Sequence, residues 1–222
     1  MDREEGLRAL IFANGDLNPG PLVDAALAFA SEALIVAADG GLRHVEACGL
    51  SPHVVIGDMD SLAESDLARC QAQGAAILRY PAAKDETDLE LALLYATERG
   101  AAWLRVIGAS GGRLDQTLGN VLLLTLPALA GRDVRLVAGQ QAAWLLPPGE
   151  HLLQGSAGDT LSLIPLGGDV QGVQTDGLVY PLRTEPLLFG PARGMSNVFA
   201  GSTARVRLDA GLLLAVHTLG RA

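Results

Sequence analysis

The sequence predicts an open, mostly parallel α/β sheet with helices on both faces, followed by an all-β sandwich. Three observations carry that expectation. From Leu7 to about Gly131, short apolar runs alternate with longer helical patterns, with few breaks. After about Arg132 the texture changes to short, often alternating runs separated by Gly, Pro or Asp. Of 222 residues, 49% are hydrophobic and 18% charged, which is enough apolar surface for a sizeable core and too little charge for a disordered chain. The domains are expected to span residues 1–131 and 132–222, with no solenoid repeat and no low-complexity linker.

The elements follow from local pattern. "LRALIFAN" from Leu7 reads as a strand, and "PLVDAALAFASEA" from Pro21 as a helix with proline in its first turn. "LIVAAD" (Leu34–Asp39) is a strand and "GLRHVEACG" a short helix ending at Gly49. "HVVIGD" (His53–Asp58) is a strand, and "LAESDLARCQAQG" a helix ending at Gly74. "AAILRYP" is a strand; "TDLELALLYATERG" is a helix with Thr87 as N-cap and Gly100 as its stop. "AWLRVIGAS" is a strand, and "LDQTLGNVLLLTLPALAG" one long helix. The later runs "DVRLVAG", "AAWLLPPG", "GDTLSLIPLGG", "VQGVQTDGLVYPL", "ARVRLDAG" and "LLLAVHTL" read as strands, the first of which suits either domain.

The charge balance argues against a general nucleic-acid partner. A formal net charge of −9 lacks the basic face such binders carry, while a nucleotide remains compatible through local cations and a metal. Cys48 and Cys70 have no zinc-like spacing and are read as reduced. The acidic start has no signal-peptide pattern, and the run from Val121 is too short to cross a bilayer and contains Pro127. A soluble cytoplasmic protein is expected.

In open parallel sheets, ligands bind beyond the carboxyl ends of the strands. Polar clusters fall there repeatedly: Asn14–Asp16, Asp39–Gly41, Gly57–Asp60, Lys84–Asp88 and Gly108–Asp115. Asp58 and Asp60 can face one ion, and hard carboxylate oxygens suit Mg²⁺; alternatively Asp60 or Ser61 caps the helix from Leu62 while Asp58 is solvated. Asp88 lies in a first helical turn, either as part of a charged helix start or as a further metal carboxylate with Lys84 on a phosphate. In "GASGGRLDQ", Gly111 and Gly112 permit close backbone approach, the helix N-terminus offers N–H groups, and Arg113 presents a fork matched to phosphate oxygens. It is neither a Walker A loop nor a GxGxxG fingerprint. Asp115 is close enough in sequence to hold the arginine, a metal-bound water or the attacking group. Asp39 and "NGD", each alone, read as ordinary turns. His44, His53, His151 and His217 make no ligand spacing; Trp103 is read as core, and Trp144 and Tyr180 as core ahead of the alternative that they stack on a ligand ring.

"ADGG", "GDMDS", "KDETD" and "GGRLDQTLGN", in this order, with a later "GMSN" and "GLLLAVH", resemble the thiamine pyrophosphokinase family over nearly the whole chain. The resemblance implies thiamine diphosphokinase activity: transfer of the β,γ-pyrophosphoryl unit of ATP to thiamine, giving thiamine diphosphate and AMP. It implies Mg²⁺, ATP as co-substrate, and a homodimer with sites formed between subunits. By the same resemblance, Asp58, Asp60 and Asp88 hold Mg²⁺. Asp39, Gly40, Gly41, Lys84, Gly111, Gly112 and Arg113 form the ATP site. Asp115, Ser196 and Asn197 lie near thiamine, and Asp58, Asp60, Asp88, Arg113 and Asp115 carry catalysis.

Three rivals stand beside it. "VVIGDMDS" resembles the DxD motif of aspartate-nucleophile phosphatases, although two strands precede it here. A DxD pair also serves metal-dependent glycosyltransferases, where the Gly-Gly-Arg loop has no role. A non-catalytic nucleotide sensor would not need the full carboxylate set.

Overall fold

The computed structural model describes residues 6–221. Two compact units divide the chain, the second beginning at Gln140.

In the first unit, six parallel strands lie in the order β6-β5-β1-β2-β3-β4. They are β1 (Leu7–Phe12), β2 (Ala33–Ala38), β3 (Val54–Gly57), β4 (Ala76–Arg79), β5 (Ala101–Ile107) and β6 (Asp133–Ala138). Ala9 to Phe12 of β1 are fully buried, as expected of a parallel strand covered on both faces. Because β6 pairs with β5 in parallel, the first unit runs through Gly139, and the boundary falls after Gly139 and not after residue 131.

The helices are α1 (Pro21–Leu27), α2 (Leu42–Ala47), α3 (Glu64–Ala72), α4 (Asp88–Glu98) and α5 (Leu114–Leu122). α4 shows why such a segment is helical. The Thr87 hydroxyl accepts the Glu90 N–H at 3.1 Å, as an N-cap does. Leu89, Ala92, Leu93 and Ala96 then fall on one buried face at i, i+3, i+4 and i+7. Two helices are shorter than expected. α1 ends at Leu27 and a 3₁₀ turn (Ala30–Glu32) follows. α5 ends at Leu122 and breaks into two 3₁₀ turns, because Leu126, preceding Pro127, takes an extended ψ of 130°.

The second unit is a β-sandwich of two antiparallel sheets. One has the order β12-β9-β14-β7 and the other β11-β10-β13-β8. The strands are β7 (Gln141–Leu146), β8 (Gly149–Gln154), β9 (Thr160–Pro165), β10 (Val170–Asp176), β11 (Arg183–Leu187), β12 (Asn197–Val198), β13 (Thr203–Leu208) and β14 (Leu213–Thr218). The alternation in β13 is strict: Ala204, Val206 and Leu208 point inward, and Thr203, Arg205 and Arg207 outward. β8, β11 and the two-residue β12 are absent from the sequence-based expectation. All three are edge strands, and β11 carries the proline and charges that edges tolerate and that mask a strand pattern.

One buried polar cluster ties this unit together. Asp159 accepts the Gly220 N–H at 2.8 Å and the Ser156 N–H at 2.9 Å, and faces His217 Nε2 at 2.9 Å. Burial pushes its carboxyl up, but these donors together outweigh burial and hold it below the usual carboxylate range. A depressed folded-state value gives stability that is present above the unfolded value and lost as pH falls through the folded one.

Two stability outcomes follow from this packing. Leu104→Ala, at a fully buried β5 position, costs about 2–5 kcal/mol in urea unfolding, whereas Leu118→Ala on exposed α5 changes it by less than about 0.5 kcal/mol. Asp159→Asn costs about 2 kcal/mol at pH 7. Its deficit against the parent protein closes as pH falls from 3.8, where Asp159 protonates in the unfolded chain, through the lower pH at which it protonates in the folded one.

Candidate active site

The strand order of the first unit reverses between β1 and β5: the chain runs outward from β1 to β4 and returns to place β5 and β6 on the other side. That is a topological switch point, where a crevice opens at the strand carboxyl ends. The loops after β1 and β5 are laced together there. Ala13 N–H donates to the Ile107 carbonyl at 2.8 Å, Gly15 N–H to Gly108 at 2.8 Å, and Asp16 N–H to Ser110 at 2.7 Å. The approach at Gly15 is so close that a Cβ would stand 2.3 Å from the Ser110 oxygen. Asn120 of α5 donates to the Ala109 carbonyl at 2.7 Å, and the Thr117 hydroxyl accepts the Gly111 N–H at 3.3 Å. These contacts shape one wall of a cavity of about 530 Å³.

The opposite wall is acidic. Asp39 follows β2 with φ of +44° and is only 6% exposed. Its Oδ2 accepts the Ser61 hydroxyl, while its buried Oδ1 has no hydrogen-bond partner among the described residues. Asp58 follows β3, and Met59 (φ +65°) turns inward so that Asp60 comes back beside Asp58. Non-glycine residues in this region are uncommon, so two at adjacent strand ends mark a locally strained site. Gly57 at φ +154° is the pivot, because a Cβ there would lie 3.0 Å from both the Asp39 Cβ and the Asp88 Cγ. Ligand oxygens of Asp39, Asp58 and Asp60 all fall within 4.8 Å of one another. The N-cap alternative fails, since α3 begins at Glu64 with Ala63 as its uncapped N-terminal residue. Ser61 instead holds Asp39, and Arg43 of α2 grips the Ser61 carbonyl.

Asp88 stands apart from that trio. Lys84 Nζ lies 3.0 Å from Asp88 Oδ1 and 3.9 Å from Asp58 Oδ2. Burial raises the Asp88 pKa, Lys84 offsets this in part, and Asp58 and Asp39 add to the rise. Asp39 thus lies with Asp58 and Asp60, while Asp88 faces the ammonium. Arg113 takes the partner that the sequence offered first for Asp115. Its guanidinium forms a two-bond pair with Asp115, both side chains exposed, and that pairing holds Asp115 down to about 2. Gly111, Gly112 and Arg113 line the cavity, beside Asn14 and Asp16 of the cluster noted at the first strand's end and Gln116, none of which the resemblance gave a role. The signal for Asn14 and Asp16 lay in their place at the end of β1, next to the switch point.

The residues present fit a hard divalent cation. Three clustered carboxylates, a buried carboxylate oxygen without a partner, and a turn closed to any side chain form an all-oxygen donor set of the kind Mg²⁺ takes.

In the second unit a cavity of about 430 Å³ is lined by Tyr180, Arg193, Met195, Ser196 and Asn197. Asn197 is buried, accepting the Tyr180 N–H at 3.0 Å and donating to the Tyr180 carbonyl at 2.7 Å. Its amide thus clamps the Tyr180 backbone. Ser196 sits at φ +54°, its N–H on the Ser162 hydroxyl at 3.0 Å. Tyr180 is 65% exposed, contrary to the core reading, while Trp144 is buried and Trp103 is half-buried beside Phe29 and Arg105. Each histidine has a structural contact: His44 with the Gly15 carbonyl, His53 with the Ile35 N–H, His151 with the Pro147 carbonyl, and His217 with Asp159.

The family model described as "Thiamin pyrophosphokinase, catalytic domain" matches residues 25–136, and that described as "Thiamin pyrophosphokinase, vitamin B1 binding domain" matches residues 150–213. The chain belongs to the thiamin pyrophosphokinase family. It is 30% identical over 186 residues to the thiamine pyrophosphokinase of Bacillus subtilis, across 83% of this chain and 87% of that protein. A crystal structure of thiamine pyrophosphokinase from Bacillus subtilis superposes with a TM-score of 0.85 at 27% identity, covering 96% of this chain and 99% of the other. The structure of a thiamin pyrophosphokinase family protein from Enterococcus faecalis gives 0.83 at 26% identity, covering 95% and 98%. Family membership lends no support to the phosphatase, glycosyltransferase or sensor readings.

Crowded carboxylates repel, so a cation that binds them stabilises the folded chain. Adding Mg²⁺ at about 100 times its dissociation constant raises the unfolding free energy by about 2.7 kcal/mol, and EDTA reverses it. Asp58→Asn abolishes the increment in a thermal melt; an increment left intact would place the cation elsewhere.

Proposed function

We propose that this chain is a thiamine diphosphokinase whose donor site is the acidic crevice of the first unit. The single observation that carries the site assignment is the Asp39–Asp58–Asp60 cluster facing the Gly111–Gly112 loop in one cavity. Asp39, Asp58 and Asp60 hold Mg²⁺, with Asp88 in reach beside them. The cation, when bound, neutralises charge on the triphosphate of ATP. The chain's own groups do the rest by positioning. The Gly111–Gly112 loop, where Gly112 has room for close backbone approach, faces phosphate oxygens ahead of the amino end of α5. Arg113 supplies a fork-shaped donor, and Lys84 a point charge. Asp115, held near 2, is a weak base, and its part is to aim Arg113. The hydroxyl of thiamine attacks the β-phosphorus, the bond to the α-phosphate oxygen breaks, and AMP leaves.

The second unit is the thiamine-binding part. Tyr180 offers an exposed ring at the mouth of its cavity, Ser196 a hydroxyl beside it, and Asn197 fixes the Tyr180 backbone. The match of residues 150–213 to a vitamin B1 binding domain supports that placement. The reading includes a homodimer with sites formed between subunits, through which the second unit also serves dimerisation, and a cytoplasmic location. The free thiols of Cys48 and Cys70 suit a reducing compartment. No helix among the described residues is long and apolar enough to cross a membrane.

Incubation with thiamine, ATP and Mg²⁺, resolved by liquid chromatography and mass spectrometry, yields thiamine diphosphate and AMP in equal amounts. ADP with thiamine monophosphate, or no thiamine product from folded protein, would overturn the reading. Asp60→Asn leaves a folded protein with turnover reduced by about 100-fold or more.

A further inference from the structure

Lys84 is the only lysine in the chain; histidines apart, every other basic side chain is arginine. It is 11% exposed, and its ammonium stands between Asp88, at 3.0 Å, and Asp58, at 3.9 Å. Asp58 belongs at the same time to the cluster whose ligand oxygens lie within 4.8 Å of one another. One carboxylate therefore serves both the ammonium and the proposed cation site. A compact ammonium on a flexible stem can enter such a gap and leave it, which a planar guanidinium with five directed donors does poorly. In contrast, Arg113, at the other side of the cavity, is exposed and already paired with Asp115.

We propose that Lys84 is a resident counter-ion, seated on Asp58 and Asp88 until a divalent cation displaces it and the triphosphate takes it up. This inference rests on the metal reading given under Proposed function. Lys84 and the cation compete for Asp58, so each weakens the other's hold. A triphosphate attracts the displaced ammonium and so favours cation binding; by linkage, the cation favours the triphosphate equally. Metal and nucleotide are then coupled by one side chain. As a fixed phosphate contact, Lys84 would not move when the metal alone is added. As a structural ion pair, it would stay paired in every state.

Because the chain has a single lysine, labelling with ¹³C-lysine gives one Hε–Cε signal in a nuclear magnetic resonance spectrum, a reporter of Lys84 alone. Adding Mg²⁺ without nucleotide shifts that signal toward the position of a mobile, solvated lysine, and adding ATP without thiamine moves it again. In parallel, Mn²⁺ binding without nucleotide, followed by electron paramagnetic resonance, tightens about tenfold or more in Lys84→Met. Circular dichroism and thermal melting establish that the variant is folded. An unshifted lysine signal at saturating Mg²⁺, or Mn²⁺ affinity that is unchanged or weaker in Lys84→Met, overturns the proposal, as does the absence of Mn²⁺ binding in both proteins. The product assay on the same preparation separates the two readings. Thiamine diphosphate formed with a stationary Lys84 signal leaves the function standing and removes the counter-ion role. A Lys84 signal displaced by Mg²⁺ with no thiamine product leaves the counter-ion role and removes the function.

Discussion

Four carboxylates, Asp39, Asp58, Asp60 and Asp88, converge on one crevice against the ammonium of Lys84. Mutual repulsion and partial burial both work against such a group, and each term grows as water is excluded. The surrounding structure is arranged to hold the carboxylates there. Asp39 and Met59 keep left-handed backbone angles, Gly57 leaves no room for a side chain between neighbouring carboxylates, and Ser61 occupies one oxygen of Asp39 while the other stays free. Strain of this kind persists where surrounding packing over-determines it, and here the packing is the fully buried centre of a parallel sheet.

The second requirement is an anion cradle opposite the acids. It comes from strand order and not from any one motif. Returning β5 to the side of β1 brings two loops together, and their carbonyls and N–H groups satisfy one another directly. Gly111, Gly112 and Arg113, just ahead of the amino end of α5, line the cavity there, where an anion complements a helix end. α5 is amphipathic in an inverted sense: Gln116, Thr117 and Asn120 turn to the cavity, while Leu114, Leu118 and Leu122 are exposed.

Much of this was legible in the sequence, for a physical reason. Parallel strands buried on both faces read as continuous apolar runs, and each polar cluster that ends one must lie at the ligand edge of the sheet. Thus Asp39, Asp58, Asp60, Lys84, Asp88 and Arg113 could all be placed before any coordinates. What stayed hidden depends on contacts between residues distant in sequence. The Ser61 hydroxyl reaches back 22 positions to hold Asp39 beside the loop that carries Asp58 and Asp60. In the second unit, the Asn197 clamp holds Tyr180 outward, where an aromatic residue in an alternating run reads as core. The edge strands β8 and β11 lack a pattern because one side of each has no partner strand to satisfy.

The central claim is that the Asp39, Asp58 and Asp60 carboxylates are gathered to hold a divalent cation. Crystals of the protein grown with Mn²⁺ and ATP, with data collected at the manganese absorption edge, test it most directly. An anomalous peak among these three carboxylates is the predicted result. A peak confined to other side chains, or nucleotide bound in the crevice with no peak there, would contradict it.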